Sequence, residues 1–301
     1  MDPLVSVVLP TYNHAHFLYN AIQSVIAQTY TNFELLIVDN HSNDDTNAVV
    51  SGFSDPRISF LKIHNKGVIA ASRNMGIKEA KGDWIAFLDS DDSWYPKKLE
   101  TVMSIIKQED IFDVLSTDEL MVDSKTGSKN VLHYGPYKEN FYKTLLIEGN
   151  CLSPSATLIR HDFLKQHNLL FNEGYEYIAV EDYDLWLNLA NKGARFKFIN
   201  IVLGEYLIHS GNNSSQLLRQ RKNAESLLHD HVFKVQQFYP PVKLWMLFGP
   251  RLRMMEIRQL ASDGYGLKVG KKIISMFFNY PVGTTVYLFN KFTRRFKNKI
   301  N

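Results

Sequence analysis

The sequence is poor in cysteine. Its 301 residues include one cysteine, Cys151. A single cysteine excludes an internal disulfide framework and a cysteine-based zinc site, so a reducing compartment fits the composition best. The first three residues lead directly into an apolar stretch, without the basic region, apolar core and small-residue cleavage site of a secretory signal. We therefore expect a cytoplasmic protein.

Acidic residues are scarce near the C-terminus. Residues 241–301 contain 12 lysines and arginines against 2 acidic residues, which gives this tail a net charge of +10. The remaining 240 residues carry a net charge of −7. A basic, aromatic tail on an acidic body suggests an anionic partner, either a membrane surface or nucleic acid.

Charged residues are missing from residues 273–290, but this apolar stretch is interrupted. It holds Asn279, Pro281, Gly283 and two threonines within 18 residues, whereas a transmembrane helix needs about 20 predominantly apolar positions. We expect an interfacial segment whose flanking lysines reach anionic lipid. The alternative is a C-terminal helix pair that packs on the body with a solvated basic face.

What the sequence does contain is a regular alternation of short apolar runs with helical patterns. An apolar content of 45% is ample for a core. Spacing of about 25 residues between successive strands is typical of a parallel sheet with helices on both faces. Strands are predicted at residues 4–9, 33–38, 58–63 and 84–88, and helices at 17–28, 44–51 and 68–80. The second half is less regular, with helices at 96–108 and 185–192 and strands at 114–122, 152–160, 196–199 and 202–208.

Polar residues follow each of the first four predicted strands, at Thr11, Asp39, Asn65 and Asp89. The carboxyl ends of parallel strands share one edge of the sheet, and ligands bind at that edge. The sequence therefore predicts a site there, with residues suited to binding a nucleotide and a cation.

The fourth of these strand ends carries three carboxylates, Asp89, Asp91 and Asp92, within the stretch Trp84–Trp94. These acids would repel one another unless a hard divalent cation lay among them. The alternative is that Asp91, Asp92 or Ser93 caps a helix that begins near residue 96.

Five motifs in order resemble family 2 glycosyltransferases of the GT-A fold. They cover residues 4–215 and comprise Val5–Asn13, Leu36–Asn40, Ser72–Gly76, Phe87–Asp92 and Glu181–Trp186. The resemblance implies an α/β fold for residues 1–215, a GT-A (Rossmann-like) three-layer α/β/α domain with a mostly parallel central sheet. Residues 216–301 lie beyond the matching motifs, and their basic, aromatic composition predicts a helical C-terminal region that contacts the membrane.

The resemblance also implies a reaction. An inverting glycosyltransferase moves a sugar from a nucleoside-diphosphate sugar, here a UDP-sugar, to an acceptor hydroxyl in cell-surface polysaccharide or lipid-linked glycan synthesis. This chemistry needs a grip on the nucleotide, charge relief for the departing diphosphate and a base for the hydroxyl. We expect a location at the inner face of the cytoplasmic membrane, with peripheral contact to anionic lipid through residues 241–301 and no nucleic-acid partner.

When the motifs are matched residue by residue, the resemblance implies which residues bind the sugar donor. Asp39 resembles an aspartate that reads a uracil or thymine ring N–H, and its alternative role is to cap the following helix. Arg73 resembles a residue near the phosphates, and its alternative is a surface arginine. The full set of expected donor-binding residues is Pro10, Thr11, Tyr12, Asp39, Asn65, Arg73, Asp89 and Ser90.

The same comparison implies a site for Mg²⁺ or Mn²⁺. Asp91 would bind the cation directly, and Asp89 would contact the ribose or a metal-bound water. His209 resembles a further ligand found in part of the family, although a lone histidine is commonly a surface or capping residue. Asp92 is left open between facing the sugar and capping the helix.

The general base implied by the resemblance is Asp182. It lies in the first turn of a predicted helix, where acids also stabilise the helix dipole without doing chemistry. The dipole would lower its pKa and a nearby diphosphate would raise it, so the sequence leaves the balance open. Asp184 is a less favoured candidate.

Two other functions compete with this hypothesis. A nucleotidyltransferase could place a metal at a strand end, but the loop after the first strand lacks the expected glycines and lysines. A nucleic-acid-binding module could use the basic tail, yet the tail shows neither zinc-finger spacing nor an RNA-recognition motif.

Overall fold

The computed structural model describes residues 2–209, 217–262, 264–285 and 288. The chain forms two compact units. Met1–Tyr175 and Glu181–Asn212 form the first, called the sheet unit below, and Glu176–Val180 and Asn213–Asn301 form the second, called the helical unit. The domain boundary predicted between residues 215 and 216 lies outside the described residues.

The first half of the sheet unit is a parallel sheet of four strands. Its strands are β1 (Val5–Thr11), β2 (Phe33–Asp39), β3 (Ile58–Lys62) and β4 (Trp84–Phe87), in the spatial order β3-β2-β1-β4. All pairs in this part are parallel. Every residue of β1 and β4 is buried, as expected for strands covered on both faces. The intervening helices are α1 (Ala15–Ile26), α2 (Thr46–Ser51) and α3 (Ile69–Glu79).

The second half makes the sheet mixed. It adds β5 (Ser93–Trp94), β6 (Val114–Asp123), β7 (Lys129–Leu132), β8 (Thr157–Arg160) and β9 (Phe196–Ile208). Strand β8 runs antiparallel to both β4 and β6, whereas β6 and β9 are parallel. The helices here are α4 (Lys98–Gln108), α5 (Phe141–Glu148), α6 (His161–His167) and α7 (Glu181–Asn191). The predicted α/β class is confirmed, and the parallel pairing dominates in the half that carries the predicted donor site.

A close approach between α3 and β1 positions one site residue. A Cβ atom on Gly76 would lie 2.3 Å from Cγ1 of Val8, so any larger side chain would push the helix off the sheet. Arg73 precedes this glycine by one helical turn and is therefore carried near the sheet.

The structure corrects several local predictions. Strand β1 continues through Pro10 instead of ending there. The helix-cap interpretation of the acidic stretch is wrong, because Ser93 and Trp94 form β5 and pair with β9, and α4 is preceded by Lys97 without a side-chain cap. The strands predicted at 196–199 and 202–208 are one strand, and β5, β7 and α5 were not predicted.

The helical unit contains α8 (Leu217–Asp230), a π-helical turn (His231–Val235), α9 (Pro241–Ser262) and α10 (Gly266–Asn279). Helix α9 packs against both α8 and α10. Glu256 on α9 forms ion pairs with Arg221 of α8 and Lys272 of α10, at 2.7 and 2.8 Å. None of the described helices combines the length and the apolar content that a membrane span requires.

Candidate active site

The carboxyl ends of the parallel strands are tied to one another by short polar contacts. The backbone N–H of Asn40, just after β2, donates to the carbonyl oxygen of Thr11 at the end of β1, at 3.0 Å. The side chain of Asn40 then accepts from the backbone N–H of Asn65, after β3, at 2.8 Å. Three of the four predicted strand ends are therefore held side by side along one edge.

The carboxylate of Asp39 is fully buried at this edge. Its Oδ1 accepts from the Ser42 hydroxyl at 2.6 Å, and its Oδ2 lies 3.2 Å from the Lys62 ammonium. Asp39 does not cap α2, because the side chain that accepts from Thr46 in the first turn belongs to Asp44. That Asp39 accepts a hydrogen bond from the nucleotide base stays a prediction. The contacts with Lys62 and Ser42 hold its carboxylate in place.

The first-strand residues divide between buried and open positions. Pro10 lies within β1, and the buried Oγ1 of Thr11 has no hydrogen-bond partner within the described residues. A buried hydroxyl without a partner is unusual and is suited to a ligand group. Tyr12, the next residue, has 49% of its surface exposed. The amide of Asn65 is occupied inside the protein, since its nitrogen donates to Ser72 Oγ at 2.8 Å.

Arg73 joins two parts of the site that lie far apart in sequence. Its guanidinium donates from Nη2 to Asp89 Oδ1 at 2.7 Å and from Nη1 to Glu181 Oε1 at 2.8 Å. The side chain is 3% exposed, so the surface-arginine interpretation is wrong. Burial lowers the pKa of Arg73, but the two carboxylates outweigh it and raise the pKa above its usual value. Arg73 thus links the acidic end of β4 to the first turn of α7.

Asp91 and His209 lie together beside this link. Nε2 of His209, which follows β9, is 2.9 Å from Oδ2 of Asp91. The neighbouring Ser90 hydroxyl is 2.9 Å from Nδ1 of His14, and the ring of Phe17 packs on the His209 ring at 4.6 Å between centroids. His14 was not predicted, because its only signal in the sequence is its place in the polar loop after β1.

The residues present fit a divalent cation that takes most of its ligands from a substrate. In the part of the chain that the structure describes, no three His, Cys, Asp or Glu side chains converge on one point. Mg²⁺ sites commonly use one or two protein ligands together with water and substrate phosphates. Asp91 and His209, whose side chains lie 2.9 Å apart, would supply such a pair, whereas Asp89 is engaged by Arg73.

Asp182, the predicted base, begins α7 next to the Arg73 link. Its Oδ2 accepts from Nδ2 of Asn150 at 3.0 Å, and its Oδ1 accepts from the backbone N–H of Tyr183. Burial and the negative charge of Glu181 raise the pKa of Asp182 to about 7, although Arg73 and these hydrogen bonds act in the opposite direction. A carboxylate with this pKa is well matched to accepting a proton at neutral pH.

Asp184 and Asn150 lie near the predicted base, Asp182. Asp184 is buried, and its Oδ2 accepts from Asn188 one turn along the same helix at 3.1 Å, as a structural acid would. Asn150 lies in the loop after α5 and was missed, because an isolated asparagine after an unpredicted helix carries no signal.

The strand ends that meet at one sheet edge, the Asp91–His209 pair and the Asp182 carboxylate at the start of α7 fit the glycosyltransferase site expected from the sequence. The chain belongs to glycosyl transferase family 2, whose sequence model matches residues 6–167. The family resemblance read from the five motifs is therefore confirmed, and the protein is an enzyme of this class.

The chain is also similar to individual glycosyltransferases in sequence and in fold. The chain is 33% identical to the Escherichia coli UDP-Glc:alpha-D-GlcNAc-diphosphoundecaprenol beta-1,3-glucosyltransferase WfgD, over 77% of this chain and 87% of that protein. Its fold is similar to S. aureus TarS in complex with UDP-GlcNAc, with a TM-score of 0.66, 20% identity, and coverage of 88% of this chain and 76% of that one. It is also similar to the mannosyltransferase PcManGT from Pyrobaculum calidifontis in complex with GDP-Man and Mn²⁺, with a TM-score of 0.60, 16% identity, and coverage of 95% and 84%.

Proposed function

We propose that this enzyme transfers a sugar from a UDP-sugar to a hydroxyl of a lipid-linked glycan, with inversion at the anomeric carbon. The observation that carries the proposal is the Arg73 link, which holds Asp89 of the donor edge and Glu181, next to the base, on one guanidinium. The donor-binding edge and the base are thereby held in a fixed position relative to each other, as a single displacement reaction requires.

The donor lies along the carboxyl edge of β1–β4. Thr11 and Tyr12 contact the nucleotide, Asp39 accepts from the uracil ring N–H, and Asn65 and Asp89 lie near the ribose. The ammonium of Lys62, 3.2 Å from Oδ2 of Asp39, orients this carboxylate. Ser90 and Arg73 complete the wall on the phosphate side.

Mg²⁺ or Mn²⁺ would be held by Asp91 and His209, with Asp89 reached through a water. The ion supplies stabilisation of the negative charge that builds on the departing diphosphate. The Mn²⁺ and GDP-Man named for PcManGT support a metal-dependent donor site in this fold. His209 keeps its place because β9, which ends at Ile208, delivers it next to Asp91.

Asp182 accepts the proton of the acceptor hydroxyl as that oxygen attacks the anomeric carbon. Asn150 orients the carboxylate, with the hydrogen bond to Oδ2 favouring the ionised form. With a pKa of about 7, Asp182 is ionised often enough to act and basic enough to accept a proton.

The acceptor is proposed from the relatives. WfgD is described as acting on a GlcNAc-diphosphoundecaprenol, and this chain spans most of that protein. An acceptor of this class is anchored in lipid, so the enzyme would work at the cytoplasmic face of the membrane.

The exposed face of α10 supports contact with that membrane. Leu267, Ile274 and Phe278 are spaced by seven and four residues, lie on one face of the helix and are 84%, 58% and 83% exposed. Lys268 and Lys271 are exposed on the same helix. An exposed apolar stripe bordered by lysines suits an anionic lipid surface. The more distal basic residues of the predicted tail lie outside the described residues.

The experiment that tests this function is a donor panel. Purified full-length protein is incubated with single nucleotide sugars and Mn²⁺, and slow donor hydrolysis is followed without acceptor. We expect UDP release from one or two UDP-sugars, abolished by EDTA. Release of UMP and sugar 1-phosphate instead of UDP would indicate attack at the α-phosphate, as in nucleotidyl transfer. Salt-sensitive binding of DNA without any donor turnover would favour the nucleic-acid alternative.

A further inference from the structure

Asp92, whose role the sequence left open, is buried behind the proposed metal site. Only 4% of its surface is exposed. Its Oδ2 accepts from the Ser155 hydroxyl at 2.6 Å, and its Oδ1 accepts from the backbone N–H of Leu207 at 3.0 Å. Both carboxylate oxygens therefore face the protein interior, and Asp92 is not placed to face a sugar.

The Ser155 side chain extends this contact to the neighbouring acid. Its Oγ accepts from the backbone N–H of Asp89 at 3.0 Å while its hydrogen goes to Asp92. Ser155 is fully buried, and its carbonyl oxygen accepts from the indole N–H of Trp94 at 2.8 Å. The acidic loop between β4 and β5 is thus held along its length by the turn that precedes β8.

The Leu207 contact reaches the other half of the site. Leu207 lies two residues before His209, on the strand that delivers this histidine next to Asp91. Asp91 adjoins Asp92 in sequence, so the Asp92 carboxylate joins the segment that carries Asp91 to the segment that carries His209. These two segments are more than 100 residues apart in the chain, and the short β5–β9 pairing and a hydrogen bond from the Tyr95 N–H to the Leu203 carbonyl oxygen also join them.

We infer that Asp92, acting through Ser155 and the Leu207 backbone, is a positioning residue that sets the spacing of the Asp91–His209 pair for the donor-bound cation. The inference rests on the proposed function, because it needs a metal-dependent donor site. A buried carboxylate destabilises the fold unless both of its oxygens accept hydrogen bonds. The hydrogen bonds of Asp92 go to segments that carry or hold the proposed metal ligands.

The test measures UDP binding by isothermal titration calorimetry, with and without Mn²⁺, on the full-length protein. Asp92→Asn keeps the shape but can no longer accept both hydrogen bonds, and Ser155→Ala removes the bridge to Asp89. We expect each to weaken Mn²⁺-dependent UDP binding by about 10-fold to 100-fold. Because both act through one chain of contacts, the double variant should lose little more than the worse single variant.

Asp113→Asn is the matched control. Asp113 is also buried and also accepts from a backbone N–H, that of Arg195 at 2.9 Å, but it directly precedes β6, at the opposite end of that strand's pairing from the acidic loop. We expect it to lower the thermal unfolding midpoint while UDP binding stays as in the wild type. A purely structural role for Asp92 would give the same pattern as this control.

The outcomes separate the inference from the function it rests on. If the wild type binds UDP equally with and without Mn²⁺, the metal part of the proposed function fails, and the inference fails with it. If the wild type requires Mn²⁺ but Ser155→Ala and Asp92→Asn bind within about twofold of it, the inference alone is overturned. Should Asp92→Asn not fold, Ser155→Ala, which removes only one hydroxyl, decides the question.

Discussion

In the proposed mechanism, Asp182 as base should make the activity depend on pH in a way that an aspartate of ordinary pKa would not. An aspartate with its usual pKa would stay more than about 90% ionised at pH 5. Asp182, with its pKa raised to about 7, is half ionised at pH 7. Its ionised fraction falls to about one tenth at pH 6 and about one hundredth at pH 5.

The assay is the initial rate of sugar transfer at low substrate, measured from pH 5 to pH 9 in buffers of constant ionic strength. Because kcat/KM reports groups of the free enzyme, we expect a tenfold fall per pH unit on the acid side, with its midpoint near pH 7. UDP binding measured at each pH separates proton transfer from loss of the donor. Asp182→Asn should lower kcat about 10² to 10⁴-fold above pH 8, and the difference from the wild type should shrink as the pH falls, because the wild type loses its ionised base. Asp184→Asn, on the same helix, should keep the wild-type profile.

The same raised pKa has a consequence for stability. A carboxyl whose pKa is higher in the folded than in the unfolded protein lowers stability as pH rises from about 4 to about 7. Asp182→Asn should therefore be more stable than the wild type at pH 8 and no more stable at pH 3.5, measured by thermal unfolding. A flat rate profile down to pH 5, or a less stable Asp182→Asn at pH 8, would refute the reasoning.

Three further predictions follow from the contacts. Asn150→Ala removes a hydrogen bond that favours ionised Asp182, so the acid side of the rate profile should move to higher pH; an unchanged profile would deny Asn150 this role. Arg73→Met leaves the buried Glu181 carboxylate and the partly buried Asp89 carboxylate without their partner and should cost about 3–5 kcal/mol in the free energy of unfolding by urea titration. Arg195→Met should cost at most about 1 kcal/mol, because that arginine is half exposed and its partner Asp113 keeps an ion pair with Arg160. Phe278→Glu should reduce co-sedimentation with anionic vesicles by about tenfold or more, and the same change at Phe238, outside α10, should have little effect; equal binding by all three proteins would remove α10 from membrane contact.

The first four strands could be predicted because each is a short run rich in apolar residues, of which β1, β2 and β4 are buried and β3 lies partly exposed at the edge of the sheet. Their helices follow from the spacing of apolar residues, as in α1 and α4. The second half could not be predicted as well, because β5 has two residues and forms only by pairing with Gly204 and Glu205 of β9. Without that pairing, Ser93 resembles a helix cap.

The site shows the same division. The sequence motifs predicted the site residues, but the side chains that contact these residues come from distant segments of the chain. Arg73 meets Glu181 across 108 positions, and His209 meets Asp91 across 118. Side chains that only orient others, such as Asn150 and Ser155, have no pattern of their own, so only the folded chain reveals them.

The central claim is that this chain moves a sugar from a UDP-sugar to a lipid-linked acceptor with Asp182 as the base. The most direct measurement is transfer of labelled sugar from UDP-sugars to a GlcNAc-diphosphate lipid at pH 8 with Mn²⁺, followed by analysis of the new linkage. We predict a lipid-extractable product of inverted anomeric configuration, lost in Asp182→Asn. Retained configuration, or near-normal transfer by Asp182→Asn, would contradict the account.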